Sequence, residues 1–403
     1  MWFIFQLVIT SCLLGIQFFF YREFIGYSQS HALRTSFRRA GQGVFLAANL
    51  PLLLLLVLWG TLSHLPAWVI LATVYPLYLW HSSWALVFLV VALREALKFP
   101  IRLLLRVVRP SPPLAPVPEA FDPRRRMFLG RSMTILAGAA FTGSVVGAMG
   151  KDRFEVTDLK LSVKGLPPEF EGFSIALASD IHSSVFMTRE TMNRYVEALN
   201  EMSADCIAVT GDFVNSMVDE VYPFAEAFSR LKAPHGVYGV LGNHDYYTRN
   251  VDAVAREVVD CGIRLLLNEQ VTIRRGNAGL HILGVDDTGS HERAGQWFDR
   301  ALRGTEAVAP KILLCHRPYH FQQAADRKID LTLSGHTHGG QIVLARIGGD
   351  VIAPARVASP YVAGLYAIGS SKMYVSRGIG TVGIPVRINC PPEITKFTLI
   401  RGA

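Results

Sequence analysis

Cysteine is scarce in this sequence. Its 5 residues among 403 show neither paired zinc-ligand spacing nor the density of a disulfide-stapled domain. Acidic residues are nearly missing from the first 150 positions, which contain 4 Asp and Glu and 13 Lys and Arg. Residues 151–403 contain 28 Asp and Glu and 27 Lys and Arg. The basic excess therefore belongs to the N-terminal part alone. Because a nucleic-acid-binding domain would itself be expected to carry a basic face, no nucleic-acid partner is expected here.

Formal charge is missing from two long apolar stretches, residues 2–20 and 40–93. A bilayer crossing needs about 20 residues, so the first stretch predicts one crossing and the second, which is broken at Pro66, predicts two. Residues 1–93 are thus predicted to form a three-helix transmembrane region. Residues 132–150 are uncharged but rich in Gly and Ala, and predict either a fourth transmembrane or export-signal helix or a buried soluble helix.

Basic residues flank the apolar stretches. Residues 94–131 are predicted to be a basic cytoplasmic loop and Pro-rich linker, whose stripe of basic residues over 94–106 either sets topology or binds anionic lipid headgroups. Arg125 and Arg126 resemble a twin-arginine export signal. Membrane lipids are therefore expected partners. By the positive-inside rule, everything after residue 150 is expected on the extracytoplasmic side.

Residues 151–403 alternate short β-rich runs with helical stretches, which predicts a layered α/β domain. In such folds the loops at strand ends carry the chemistry. Side chains able to bind metal ions follow successive predicted strands, and they include five of the twelve histidines. They are Asp180, His182, Asp212, Asn243, His244, Asp245, His316, His336 and His338.

Any one of these residues has an ordinary explanation, since a lone histidine is more often a core or surface residue than a ligand. Their joint occurrence at consecutive strand ends serves no structural need. Imidazole, carboxylate and amide ligands together suit Mn, Fe or Zn rather than the all-oxygen shell that Ca and Mg prefer. Two such ions about 3.5 to 4 Å apart can polarise a phosphoryl group and activate a bridging water.

The ordered motifs Asp180-x-His182, Gly211-Asp212, Gly242-Asn243-His244-Asp245, His316 and Gly335-His336-Thr337-His338 resemble the calcineurin-like metallophosphoesterase superfamily. The segments Gly339-Gly340-Gln341 and 374–380 resemble its membrane-associated bacterial branch, which includes exported phosphoesterases and some UDP-diacylglucosamine pyrophosphatases. The resemblance implies a two-sheet sandwich flanked by helices over residues 151–403, with the metal centre at the strand ends. It also implies a bacterial cytoplasmic-membrane protein.

The resemblance also implies roles for individual residues. Asp180, His182 and His338 would bind one ion, and Asp212 would bridge both ions. Asn243, His316 and His336 would bind the second. His244 would contact the phosphate and protonate or stabilise the leaving group, with Asp245 orienting it. Arg377 is a weaker candidate for substrate binding, because it lies in the late segment 342–380 that leaves the simple alternation of strands and helices.

The function expected from these features is hydrolysis of a phosphate ester or anhydride by two divalent ions. The substrate would be a phosphorylated small molecule or lipid at the membrane surface. One alternative is a UDP-2,3-diacylglucosamine pyrophosphatase of lipid A biosynthesis, whose cytoplasmic substrate conflicts with the expected topology. The other is a non-enzymatic metal-binding membrane protein, against which the complete set of ligands and His244 both argue.

Overall fold

The computed structural model describes residues 2–58, 69–85, 87–88, 91–92, 123–348 and 350–402. The chain divides into two compact units, Met1–Val146 and Gly147–Ala403. This division falls four residues before the domain boundary that the sequence predicts between residues 150 and 151.

The first unit is helical where it is described. Helix α1 covers Trp2–Ser30, α2 covers Thr35–Leu58, and a short π-helix covers Ile70–Val74. Helix α3 covers Pro123–Gly150, so it begins nine residues before the predicted fourth crossing. Residues 94–122 of the predicted basic loop and linker lie outside the described residues.

No helix in the described ranges has both the length and the hydropathy that a bilayer crossing requires. The predicted multi-pass region is therefore not supported by these helices. Two of them join an uncharged run to charged residues, since α1 continues through Arg22 and Glu23 and α3 includes Arg131. The run within α3 is also diluted by glycine and alanine.

The second unit is built on two six-stranded sheets, with strand orders β1-β14-β2-β3-β4-β5 and β12-β13-β9-β8-β7-β6. A separate two-stranded hairpin, β10-β11, follows β9. The strands are β1 Glu155–Lys164, β2 Ser174–Ala178, β3 Cys206–Thr210, β4 Val237–Val240, β5 Arg264–Leu265, β6 Glu269–Arg275, β7 Ala278–Gly284, β8 Lys311–Leu314, β9 Leu331–Ser334, β10 Ala345–Ile347, β11 Asp350–Ile352, β12 Gly364–Ile368, β13 Ser371–Val375 and β14 Glu393–Gly402.

The central strands are buried on both faces, which explains why they read as continuous apolar runs. In β2, Ile175 and Leu177 belong to the core between the two sheets, whereas Ala176 and Ala178 belong to the core beneath the outer helices. This alternation follows from the two-residue period of a strand. Each sheet thus contributes to two cores, and the unit has four layers.

Helices cover the outer face of each sheet. Phe224 and Val254 pack on the first sheet, and Phe298 and Phe321 pack on the second. The predicted two-sheet α/β sandwich flanked by helices is therefore confirmed. All five cysteines are free. The helices of this unit in the described residues are α4 Arg189–Glu201, α5 Val221–Phe228, α6 Asn243–Tyr247, α7 Val251–Asp260, α8 His291–Ala301 and α9 Phe321–Asp326.

Candidate metal centre

The carboxyl ends of parallel strands from both sheets converge on one cluster of polar side chains. Strands β2, β3 and β4 run parallel in the first sheet, and β8 and β9 run parallel in the second. The loops after these strands carry all the predicted metal ligands. The oxygen ligands Asp180, Asp212 and Asn243 come from the first sheet, and His316, His336 and His338 come from the second. The centre therefore exists only where the two sheets are packed together.

Four buried side chains form what we call the first ligand group: Asp180, His182, Asp212 and His338. One donor atom from each lies within 4.8 Å of the others. The Nε2 atoms of His182 and His338 face each other at 3.0 Å. His182 Nε2 lies 3.5 Å from Asp212 Oδ2, and His338 Nε2 lies 3.5 Å from Asp180 Oδ1. These donor atoms surround a single point.

A second ligand group, Asn243, His316 and His336, adjoins the first and shares Asp212 with it. His316 Nε2 is 3.2 Å from Asn243 Oδ1, 3.3 Å from His336 Nδ1 and 3.3 Å from Asp212 Oδ2. The other ring nitrogen of His316, Nδ1, contacts the carbonyl oxygen of Thr210 at 2.8 Å, which fixes the orientation of the ring. Asp212 thus contacts both groups through one oxygen.

Burial sets the charge states in the first group. It lowers the pKa of both His182 and His338 well below the usual range, and neighbouring histidines add to the shift. Both rings are therefore neutral, with nitrogen lone pairs available to a cation. Burial also raises the pKa of Asp180 to about 6, against the opposing charge of His316.

Asp212 and His316 behave as an ion pair. Burial alone would raise the pKa of Asp212, but His316 and His244 together lower it well below its usual range. Burial alone would likewise lower the pKa of His316, but the charge of Asp212 raises it to about 10. A proton held by this pair is what a divalent cation would displace.

The arrangement fits a metal centre by its chemistry. Neutral imidazoles, a buried ionised carboxylate and an amide oxygen converge, and two imidazole nitrogens approach each other with at most one proton to share. Such a donor set matches borderline divalent ions. The structure thus brings together all seven predicted ligands, Asp180, His182, Asp212, Asn243, His316, His336 and His338, while the assignment of each to a particular ion stays a prediction.

His244 lies beside the first ligand group without entering it. Its ring is edge-on to that of His182, with centroids 4.5 Å apart, and its main-chain N–H donates to Asp212 Oδ1 at 2.8 Å. Its Nδ1 is 2.5 Å from the carbonyl oxygen of Asn215. Because a carbonyl can only accept, Nδ1 carries a proton and Nε2 is the atom left for a ligand.

Asp245, predicted to orient His244, makes its hydrogen bonds to the main chain, and none of its described contacts is to the His244 ring. Its carboxylate accepts hydrogen bonds from the main-chain N–H groups of Gly242, Asp212, Phe213 and Val214, at 2.8 to 3.2 Å. Burial and the nearby charge of Asp212 raise the pKa of Asp245 to about 8. Asp245 therefore acts on the centre through the backbone that carries Asp212. It does so because its side chain lies beneath the loop that follows β3.

Backbone strain at the ligands is a feature that sequence reasoning missed. Five of the seven predicted ligands adopt positive φ: Asp180 (51°), His182 (48°), Asp212 (55°), His336 (72°) and His338 (51°). Non-glycine residues rarely take this conformation, and a cluster of them is typical of functional sites. The sequence signal was the adjoining glycines. A β-carbon on Gly242 would lie 2.2 Å from Asp212 Oδ1, and one on Gly335 would lie 2.3 Å from Asp180 Oδ2.

Arg377 is held by two carboxylates. Its Nε donates to Glu393 Oε2 at 2.6 Å, and one terminal nitrogen donates to Glu155 Oε2 at 2.8 Å. Its side chain is 13 % exposed. These contacts give Arg377 a structural role, and its role in substrate binding stays a prediction.

Comparison with known proteins gives a consistent result. The sequence profile described as calcineurin-like phosphoesterase matches residues 173–340. The chain is 31 % identical over 288 residues to an uncharacterized metallophosphoesterase of Bacillus subtilis, YkuE, covering 68 % of this chain and 97 % of that protein. It is 30 % identical over 231 residues to the phosphodiesterase YaeI of Escherichia coli, covering 57 % of this chain and 82 % of that protein.

A vertebrate relative is longer. The chain is 33 % identical over 255 residues to the transmembrane protein with metallophosphoesterase domain of Danio rerio. That match covers 61 % of this chain and 57 % of the relative, so the chain spans little more than half of that protein.

Proposed function

The chain belongs to the calcineurin-like metallophosphoesterase family, and we propose that it is a phosphoester hydrolase that uses two divalent ions to cleave a lipid-linked or envelope phosphate at a membrane surface. One observation carries the proposal of two ions. Asp212 Oδ2 lies 3.5 Å from His182 Nε2 in the first ligand group and 3.3 Å from His316 Nε2 in the second. A shared carboxylate offsets the repulsion between two neighbouring cations.

The two ions, as Mn, Fe or Zn, would polarise the phosphoryl group and lower the pKa of an attacking water. The protein residues then have separate tasks. Asp212 holds its negative charge between the two ligand groups. His244 keeps a proton on Nδ1 for the Asn215 carbonyl and, when doubly protonated, gives the Nε2 proton to the oxygen that leaves phosphorus. Water would form a bond to phosphorus as the bond to that oxygen breaks, the proton lost by the water would pass to solvent, and solvent would reprotonate His244.

Exposed apolar residues on the hairpin that follows the His338 loop support a lipid-linked substrate. Gly340, two residues after His338, lies so close to Ala353 that a β-carbon on it would be 2.4 Å from Ala353 Cβ. Ala353 directly follows the β10-β11 hairpin. On that hairpin Val351 is buried, while Ile347 on the opposite face is 66 % exposed. Leu344, Ile352 and Val357 in the same stretch of chain are also exposed, and a group of exposed apolar residues is suited to contact acyl chains.

The sequence also supports a membrane location. Residues 2–20 and 40–93 carry no formal charge and are flanked by basic residues. The Danio rerio relative is itself named as a transmembrane protein. We propose that the N-terminal unit keeps the enzyme at a membrane and that residues 147–403 act there on the extracytoplasmic side.

The proposal is tested by comparing two substrates with the full-length chain loaded with Mn. One is a water-soluble aryl phosphoester, and the other is a phospholipid phosphoester in mixed micelles. Ile347→Ser should reduce kcat/KM for the micellar substrate by about tenfold, the effect of losing one buried isoleucine contact, and leave the soluble substrate unaffected. Chelation should abolish both activities.

Val308→Ser is the matched control. Val308 is 89 % exposed but precedes β8, whereas the metal ligands follow the carboxyl ends of the strands. It should change neither activity. Equal micellar activity in the Ile347 variant and the control would overturn the lipid-surface proposal alone. Hydrolysis that survives complete removal of metal would overturn the proposed metal chemistry.

A further inference from the structure

Arg387 is a buried arginine with an unusual set of partners. Its side chain lies in a loop between β13 and β14, and the residue is 5 % exposed. Apart from one contact with Cys390 Sγ at 3.9 Å, its hydrogen bonds go to main-chain oxygens. Nε donates to Gly380 at 3.0 Å, while terminal nitrogens donate to Cys390 at 3.2 Å, to Arg377 at 2.9 Å and to Gly378 at 3.1 Å. Within the described part of the chain it forms no ion pair with a carboxylate. Burying a cation in this way costs several kcal/mol.

The carbonyls that Arg387 binds belong to a segment that supports the first ligand group. The segment Gly378–Ile379–Gly380 pairs with the β2 loop, since Ile379 N donates to Ser179 O at 2.9 Å and Gly380 N donates to Asp180 O at 2.7 Å. A β-carbon on Gly378 would lie 2.7 Å from the β-carbon of Asp180. Displacing this segment would therefore displace Asp180 directly.

The same guanidinium reaches the loop of His338. Cys390, whose carbonyl accepts from Arg387, donates its thiol to the carbonyl oxygen of His338 at 3.3 Å. One side chain thus connects the supports of two ligands, Asp180 and His338, that come from different sheets. Within the described contacts, Asn243 and His316 have no such connection to Arg387, and His336 is linked to it only indirectly, because its main-chain N–H donates to Asp180 Oδ1 at 2.8 Å.

We propose that Arg387 is a positioning residue that holds the first ligand group in its metal-binding geometry and leaves the second group unaffected. The requirement for arginine follows from the contacts. Only a planar guanidinium offers five N–H donors in a fixed arrangement. Here these donors reach both the carbonyl of Gly380, next to Asp180, and the carbonyl of Cys390, next to the His338 loop. Lysine keeps the positive charge but has a single nitrogen in place of the planar guanidinium. The inference rests on the proposed function, because it assumes metal binding at both groups.

The test measures metal affinity in Arg387→Lys and Arg387→Met by titrating Mn into the metal-free protein, with a melting curve for each variant. The affinity of one ion should fall roughly 10- to 100-fold, the range typical of losing a group that orients a ligand. The other ion should bind as in the wild type. The paramagnetic resonance signal of a coupled Mn pair should give way to that of a single Mn.

Arg275→Met is the matched control, since Arg275 also joins separated segments. It pairs with Asp205 and lies over the Phe173 ring at 4.8 Å, away from the ligand groups. It should lower the melting temperature without changing either Mn affinity. If Arg387→Met does not fold, Arg387→Lys decides the matter because it preserves the buried charge.

His336→Ala identifies the ion that is affected. This variant removes a ligand of the second group, so its remaining ion lies in the first group, and adding Arg387→Lys should weaken that ion. The proposal would be overturned if the folded Arg387→Lys variant bound both ions with wild-type affinity or bound both with equally reduced affinity. It would also be overturned if Arg275→Met reduced Mn affinity to the same extent. A wild type that binds one Mn would refute the two-ion function separately, while the Arg387 proposal would still require that single ion to weaken.

Discussion

The two sides of the metal centre differ in how they meet solvent. In the first ligand group Asp180 and His182 are fully buried and His338 is 3 % exposed. In the second group His316 and Asn243 are buried as well, but His336 is half-buried, and its ring lies 6.1 Å from that of Tyr319. His244 is also half-buried, and Tyr246 and Tyr247 after it are exposed. A catalytic metal site needs a closed side, where the fold holds the ligands in place, and an open side, where substrate can bind.

Asp212→Asn tests whether the two sides depend on one shared carboxylate, and it should have the largest effect. The substitution keeps the size of the side chain and an oxygen for the His244 N–H, but it removes the charge between the two groups. Fewer than two ions per chain should remain. Hydrolysis should fall on the order of 10³-fold or more, since such electrostatic contributions are usually the largest in catalysis. Metal counting alongside kinetics measures both, and two tightly bound ions in this variant would show that the sides are independent.

His244→Ala sharpens the comparison by removing a side chain from the open side that is not a proposed ligand. Both ions should remain, while turnover falls roughly 10²- to 10⁴-fold because a positioned proton donor is lost. The metal content of the purified variant and its kcat measure the two effects. Loss of an ion would make His244 a ligand, and unchanged turnover would remove it from the reaction.

Glu220→Gln should have the smallest effect, because Glu220 reaches the open side only through the loop carrying Asn215. Its Oε2 accepts hydrogen bonds from the N–H groups of Asn215, Ser216 and Met217 at 2.7 to 2.9 Å. Burial raises its pKa from the usual 4.5 to about 7. The folded state thus binds this proton more readily than the unfolded state does. The resulting stability is fully present below pH 4.5 and is lost as the pH rises through about 7.

Glutamine keeps the oxygen acceptor and cannot ionise. The free energy of unfolding of the wild type should therefore fall relative to that of Glu220→Gln between pH 5 and pH 8, by at most about 3 kcal/mol. Denaturant titrations at several pH values measure this difference. A difference that is constant across the range would show that Glu220 stays ionised in the folded protein.

The sequence predicted which residues form the metal centre better than which residues hold them in place. Asp180, Asp212 and His316 follow predicted strands, and parallel strands end at a common edge, so their convergence followed from the topology. The partners of Arg377 could not be predicted in this way, because Glu155 lies 222 residues from it in the chain. Arg387 was missed for the same reason. Its hydrogen-bond partners are mainly main-chain carbonyl groups. Because every residue has one, no sequence motif identifies these partners.

The conformation of the ligand loops was also beyond sequence reasoning. Asp180 and His338 adopt positive φ because contacts from other segments hold them there, and a residue type alone does not reveal this. The membrane prediction relied on uncharged runs by themselves, and no helix in the described ranges has the length and hydropathy that a crossing requires.

The position of β14 has a consequence for synthesis of the protein. This strand, Glu393–Gly402, lies between β1 and β2, pairing parallel with the first and antiparallel with the second. A nascent chain that has emerged from the ribosome as far as β13 already contains every metal ligand, but β1 has no neighbour to pair with and β2 has an open edge. Chaperones would meet this exposed edge in every chain that stalls before residue 393. Arrival of β14 closes the sheet and brings Glu393 to Arg377, so the first sheet is complete only after residues 393–402 have emerged.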